Sequence, residues 1–106
     1  MIFPMNTPMF DLLVLSVVKK EDAYGYQLSQ IIKRVSNTKD STLYPVLKRL
    51  QEQNFVTVYD QPYQGRNRRY YRITEEGHRQ YLMLREEWSA YKDAVDEIVV
   101  EGGRKR

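Results

Sequence analysis

The sequence predicts a mainly α fold, interrupted once by a β-hairpin and closed by a long C-terminal helix. Three observations predict it. Apolar residues recur at helical spacing in three segments before residue 54. The pattern then changes to β-branched and aromatic residues on either side of a Pro- and Gly-containing turn, over residues 55 to 73. From Thr74 to about Glu101 nothing breaks a helix after Gly77, and a heptad seam runs along it from Tyr81 to Ile98.

The first helix is expected from Thr7, as N-cap, with Pro8 at the first helical position, where a missing N–H costs little. It runs to about Lys19 and buries Leu13, Val14 and Val17. A second helix of about three turns is expected over A-Y-G-Y-Q-L-S-Q-I-I-K-R-V, residues 23 to 35, with Leu28, Ile31, Ile32 and Val35 on one face. Gly25 in its first turn lets a neighbouring element approach. Residues 36 to 40, S-N-T-K-D, are turn and capping types, so a third helix starts between Thr38 and Thr42. Its core face is Leu43, Val46, Leu47 and Leu50, and Pro45 falls within the opening two turns. A cap at Ser41 or Thr42 makes that proline harmless, whereas a cap at Thr38 means one lost intrahelical bond and a slight kink.

Phe55 to Asp60 reads as a strand, residues 61 to 67 as a turn and residues 68 to 73 as the returning strand, which makes a hairpin with an arginine-rich tip. Thr74 caps the last helix, with Glu75 and Glu76 in its first turn complementing the helix dipole. Tyr81, Leu84, Trp88, Tyr91, Val95 and Ile98 form an a/d seam. A helix of roughly 25 residues is about 37 Å long, more than a small body can cover. Part of that seam is therefore expected at an interface with a second copy, as a homodimer.

Composition excludes several functions. With no cysteine there is no disulfide framework, thiolate metal site or thiol nucleophile. The single histidine, His78, has no nucleophile spaced to use it, there is no glycine-rich phosphate loop, and the adjacent pairs Glu75-Glu76 and Glu86-Glu87 diverge on a helix. No catalysis, metal or cofactor is expected. The apolar run Leu12 to Val18 contains too few residues to span a membrane and lacks the flanks of a signal peptide, so a cytoplasmic protein with no membrane partner is expected. The net charge of +3 hides a division. Residues 1 to 73 carry 11 Lys/Arg against 6 Asp/Glu, residues 74 to 101 carry 3 against 8, and the tail Gly102 to Arg106 adds three cations. A basic body suggests a polyanionic partner.

Helix, helix, helix, strand, basic turn, strand is the order of a winged helix-turn-helix, whose third helix enters the major groove of double-stranded DNA while the hairpin wing touches the flanking backbone or minor groove. Placed by angle, Ser41, Tyr44, Pro45 and Lys48 oppose the core face, with Thr42 and Arg49 on one flank. Hydroxyls and cations suit phosphates and base edges. On the wing, Arg68 and Arg72 share a face with Tyr70, and Arg69 shares the other with Tyr71 and Ile73. Arg66 and Arg68 are the favoured contacts, with Arg69 beside them. The competing reading is that these cations merely solvate a helix face or protect an edge strand. Trp88 and Tyr91 lie in the middle of the seam, where they serve either as interface core or, doubled by a two-fold axis, as flat walls for a small aromatic ligand. The expected organisation is a DNA-binding domain over residues 1–74, a dimerisation helix over 75–101 and a basic tail over 102–106. An alternative keeps the winged helix but uses the seam to dock a different protein.

A-Y-G-Y-Q-L at 23 to 28, S-T-L-Y-P-V-L-K-R-L at 41 to 50 and R-R-Y-Y-R-I-T-E-E-G at 68 to 77 resemble the signatures of the PadR family of bacterial transcriptional regulators, across about Pro8 to Val100. The single long C-terminal helix resembles the small, LmrR-like subfamily. The resemblance implies a homodimeric winged-helix repressor with Ser41, Thr42, Tyr44 and Lys48 on the recognition helix and Arg66 to Arg69 on the wing. It also implies that Trp88 faces its symmetry mate across a ligand-binding pore.

Overall fold

The computed structural model describes Phe3 and residues 5–100. The elements follow in the order α1 (Thr7–Lys20), β1 (Ala23–Tyr24), α2 (Gly25–Ile32), α3 (Asp40–Glu52), β2 (Val56–Tyr63), β3 (Arg66–Ile73) and α4 (Glu75–Val99). This is a winged helix-turn-helix with a long C-terminal helix. The basic tail expected at residues 102–106 lies outside the described residues.

α1 begins one residue earlier than its prolyl signal suggests. Asn6, not Thr7, is the N-cap, and its side chain accepts a hydrogen bond from the Met9 N–H at 3.1 Å. Pro8 therefore sits at the second helical position, where its missing N–H is still one the helix would leave free. α1 is the central element of the core, contributing Phe10, Val14, Leu15 and Val18, against which Leu28 and Ile32 of α2 and Leu43, Leu47 and Leu50 of α3 are buried.

α2 is shorter than expected, at 8 residues. Its anticipated start is taken by β1, where Ala23 and Tyr24 pair with Tyr71 and Tyr70. The Tyr24 N–H instead donates to the Gln27 side chain at 3.0 Å, which satisfies the first backbone donor of the helix. At the other end, the Arg34 and Val35 N–H groups reach the carbonyls of Ile31 and Ile32 in tight turns, and Val35 is exposed. The Ser29 hydroxyl then donates to Asp40 at 2.7 Å, tying α2 to the first turn of α3.

α3 starts at Asp40 with Lys39 as N-cap, so Pro45 is its sixth residue. The proline deprives the Ser41 carbonyl of its partner four residues on, and Ser41 is exposed, where water can replace that bond. The helix ends in a Schellman motif: Asn54 takes a left-handed φ of 64°, its N–H donates to Gln51 at 3.0 Å and the Phe55 N–H to Leu50 at 2.9 Å.

The hairpin is longer and its turn tighter than the Pro-Gly signal predicts. β2 and β3 stay paired from Val56↔Ile73 to Tyr63↔Arg66, leaving a two-residue turn at Gln64 and Gly65. Both turn residues have positive φ, 52° and 79°, the geometry that matches the right-handed twist of a hairpin. Pro62 is tolerated because β2 is an edge strand in the sheet order β1-β3-β2.

α4 is anchored where α3, the wing and the last helix meet. The Thr74 hydroxyl donates to the Asn54 carbonyl at 2.7 Å and accepts from the Gly77 N–H at 2.9 Å. A Cβ placed on Gly77 would lie 2.0 Å from the Phe55 carbonyl oxygen, so only glycine lets α4 come this close. Gly25 differs. An added Cβ there meets the Tyr44 ring at 3.5 Å, an ordinary contact, so the approach expected at Gly25 exists but does not demand glycine. Tyr81 and Leu84 still pack on the core, with the Lys19 ammonium 5.4 Å from the Tyr81 ring centroid. Beyond them, Trp88, Tyr91, Val95 and Ile98 are exposed, and the molecule extends 60 × 29 × 20 Å.

Candidate nucleic-acid interface

The outward face of α3 follows from its buried one. With Leu43, Leu47 and Leu50 almost fully buried, Ser41, Thr42, Tyr44, Pro45 and Lys48 all project to solvent. Tyr44 does not stand alone, because its ring lies over Gly25 at the start of α2. Among the described residues Lys48 makes no ion pair, which leaves its ammonium free for an anion.

Arg49 departs from the set of cations expected on this face. Its guanidinium is turned into the body, where its two terminal nitrogens donate to the two oxygens of Asp11 in α1, one at 3.2 Å, and a further bond runs to Gln53 at 3.1 Å. Asp11 is buried at 5% exposure. A carboxylate held there requires a paired, hydrogen-bonded cation, and that requirement turns the Arg49 guanidinium toward α1 and leaves its side chain 33% exposed.

On the wing the four arginines have four different surroundings. Arg66, next to the turn, is exposed and unpaired among the described residues. Arg69 is exposed with Asp60 3.5 Å away on β2, a loose surface pair of little strength. Arg68 is held between two rings, its guanidinium carbon 3.5 Å from the Tyr63 centroid and 4.0 Å from that of Tyr24. Arg72 donates through Nε to Asp22 at 3.1 Å, with Nη2 in ion-pair contact with the same carboxylate oxygen at 3.0 Å, and Asp22 also accepts from the Tyr59 hydroxyl at 2.6 Å.

The strand faces divide as alternation requires: Tyr71 is buried, while Tyr70 lies on the opposite face, stacked on Tyr59 at 5.4 Å and edge-on to Tyr24 at 5.5 Å. Burial works against charge on Asp22, but the hydrogen bonds from Tyr59 and Arg72 and the charge of Arg72 outweigh it and hold the carboxyl below its ordinary value. The same bond to Asp22 raises the Tyr59 phenol. Tyr24, Tyr59, Tyr63, Asp22 and Asp11 all shape this surface, and none was singled out from the sequence.

Trp88 and Tyr91 lie on the exposed length of α4 with ring centroids 6.3 Å apart and planes tilted by 38°. Among the described residues no three His, Asp or Glu side chains group closely enough to hold a metal, and no helix is long and apolar enough to cross a membrane.

The model of the transcriptional regulator PadR-like family matches residues 14–82, from α1 into α4. The chain belongs to that family. As a PadR-like regulator it is a DNA-binding transcription regulator and not an enzyme. Its whole length is similar to a protein of Streptococcus mutans of known structure, 42% identical with a TM-score of 0.91, covering 100% of this chain and 98% of that one. A PadR family transcription regulator from Clostridium difficile is 29% identical over 85% of this chain and 97% of its own, with a TM-score of 0.77. An uncharacterized protein of Lysinibacillus sphaericus is 34% identical over 87% of this chain and 88% of its own.

Proposed function

We propose that this PadR-like regulator acts in the cytoplasm as a homodimeric repressor reading a pseudo-palindromic operator, and that a small planar hydrophobic or aromatic ligand relieves repression. The observation that carries the reading is the coexistence, in one chain, of an exposed polar and cationic α3 face and an α4 whose second half carries an exposed apolar stripe. Residues 1–74 supply DNA binding: Ser41, Thr42, Tyr44 and Lys48 from α3 enter the major groove, and Arg66, Arg68 and Arg69 from the wing meet the flanking backbone. Residues 75–101 supply the dimer.

Tyr81, Leu84, Trp88, Tyr91, Val95 and Ile98 pair with the same residues of a second copy, spacing the two α3 helices by about one turn of DNA, roughly 34 Å. Where the two seams face each other, Trp88 and Tyr91 of both copies form flat apolar walls on which a planar ligand stacks. Support comes from the exposure of these rings in a single chain, at 37% and 66%.

Light scattering on the purified chain tests the dimer, and selection of duplexes from a random library followed by footprinting tests the operator. The expected results are a dimer and a protected site with two-fold symmetry. A chain that stays monomeric, while capturing a different protein through α4, favours an interaction module. Titration of planar aromatic compounds followed by Trp88 fluorescence tests the ligand; in a confirmed dimer, no response across a broad panel would leave Trp88 as interface core.

A further inference from the structure

We infer that Arg49 is a positioning residue for DNA recognition: through its two-pronged bond to Asp11 it fixes the rotation of α3 on α1 and makes no phosphate contact. The inference rests on the proposal that α3 reads the DNA, and goes beyond it by assigning a role to two charged residues that touch no nucleic acid.

α3 is tied at its first turn by the Ser29–Asp40 hydrogen bond, and the Arg49–Asp11 pair adds a directional contact at its other end. Leu43, Leu47 and Leu50 hold it by apolar contact, which is non-directional. The Arg49 guanidinium is planar and its pairing with a carboxylate is directional. Asp11 is itself buried on α1, at 5% exposure, so its carboxylate has little room to follow a moving partner. Arg49 is additionally steered by Gln53, the C-cap residue of its own helix. Adjacent helical residues are separated by about 100°, so the direction in which Arg49 is held sets the direction of Lys48 beside it. Ser41, Thr42 and Tyr44, one or two turns earlier, turn with them. A small rotation of α3 would move these side chains across a base pair while leaving the charge of the surface almost unchanged.

The consequence is separable from a phosphate contact. A phosphate contact adds to the salt dependence of binding on any duplex, by about 0.9 in the slope of log K against log salt for each cation. A positioning pair changes discrimination between sequences and leaves the slope alone.

The test uses the full chain with Asp11→Asn, Arg49→Gln, both together, and Arg49→Lys. The probes are a duplex selected from a random library by the wild-type chain and an unrelated duplex of equal length. All are measured over a range of salt at a temperature where circular dichroism shows each variant folded. Expected is a loss of about tenfold or more for the selected duplex in Asp11→Asn and in Arg49→Gln, with the unrelated duplex within about twofold and the slope unchanged. The double variant should be no worse than the poorer single one, because both remove one interaction. If the variants that break the pair fail to fold, Arg49→Lys, which keeps the charge without the fork, should still lose about threefold in discrimination.

Two results overturn the inference. A lower slope and weaker binding to both duplexes in Arg49→Gln, with Asp11→Asn unimpaired, makes Arg49 a phosphate contact. Wild-type discrimination in folded variants makes the pair merely structural. Lys48→Ala in the same assay separates the levels: if it is silent, the reading of α3 itself fails, and if it acts while the Asp11 and Arg49 variants do not, only this inference fails.

Discussion

The two halves of α4 carry the same heptad pattern and meet opposite fates. In the first half, Gly77 presses against the Phe55 carbonyl and Tyr81 and Leu84 lie on the core of their own chain. In the second half, Trp88, Tyr91, Val95 and Ile98 continue the seam beyond the core and are exposed among the described residues, Ile98 at 79%. A heptad seam records only that a stripe will be buried. It does not record by what, and here one stripe divides between the body and an exposed surface.

The largest expected effect breaks the first half. Gly77→Ala drives a methyl group into the Phe55 backbone oxygen and should cost about 3 kcal/mol or more, lowering the melting temperature by more than about 10 °C. Gly25→Ala is the control, because an added methyl there meets only Tyr44 at ordinary distance; its melting temperature should stay within a few degrees of wild type. Equal losses in the two variants would refute the contrast between the two glycines.

Breaking the second half should spare the fold. Tyr91→Glu with Ile98→Glu places charge on residues exposed in the single chain, so helix content and the melting of the body should persist. Light scattering should then report a monomer, where the proposed function expects a dimer of the wild type. Operator affinity should fall at least about a hundredfold, because the second half-site loses its high effective concentration. Loss of folding instead would show that the distal half of α4 supports its own body. A smaller effect is expected from Lys48→Ala with Arg66→Ala. In a dimer this removes four cations from the proposed DNA face, and the slope of log K against log salt should become shallower by about 3.6. An unchanged slope would remove both residues from that face.

The outward face of α3 was legible in the sequence because helical periodicity converts buried leucines into angles, and Ser41, Thr42, Tyr44 and Lys48 are all exposed as those angles require. Arg49 was not legible from its own helix. Its partner lies 38 residues away, and the available signal was on α1, where Asp11 interrupts an apolar run and therefore needs a cation. β1 was hidden for a different reason: two residues of strand have no period, and Ala23 and Tyr24 fitted the helical stripe that follows. Missing β1 also hid the clamp on Arg68, since Tyr24 reaches the wing only by pairing with β3. Contacts that depend on long-range pairing leave little local trace, whereas faces set by a period are written in the sequence several times over.

The smallest effect tests whether the outer face of the wing is held by charge. Asp22 joins the segment after α1 to Tyr59 on β2 and Arg72 on β3, and its carboxyl is held below the ordinary value. A lowered folded pKa means that the unfolded chain takes up the proton first as pH falls. The stabilisation is therefore complete well above the unfolded carboxylate pKa of about 3.9, and it is lost as pH falls through the folded value. Because Arg72 is largely solvent-exposed, screening keeps the contribution small. Asp22→Asn should accordingly melt slightly below wild type at neutral pH, and the difference should shrink as pH falls through that window, disappearing at its acid end. A difference that instead persists at acid pH would mean that Asp22 holds the wing by shape and neutral hydrogen bonding rather than by its charge, making this region, like the start of α4, one held by packing and neutral hydrogen bonds.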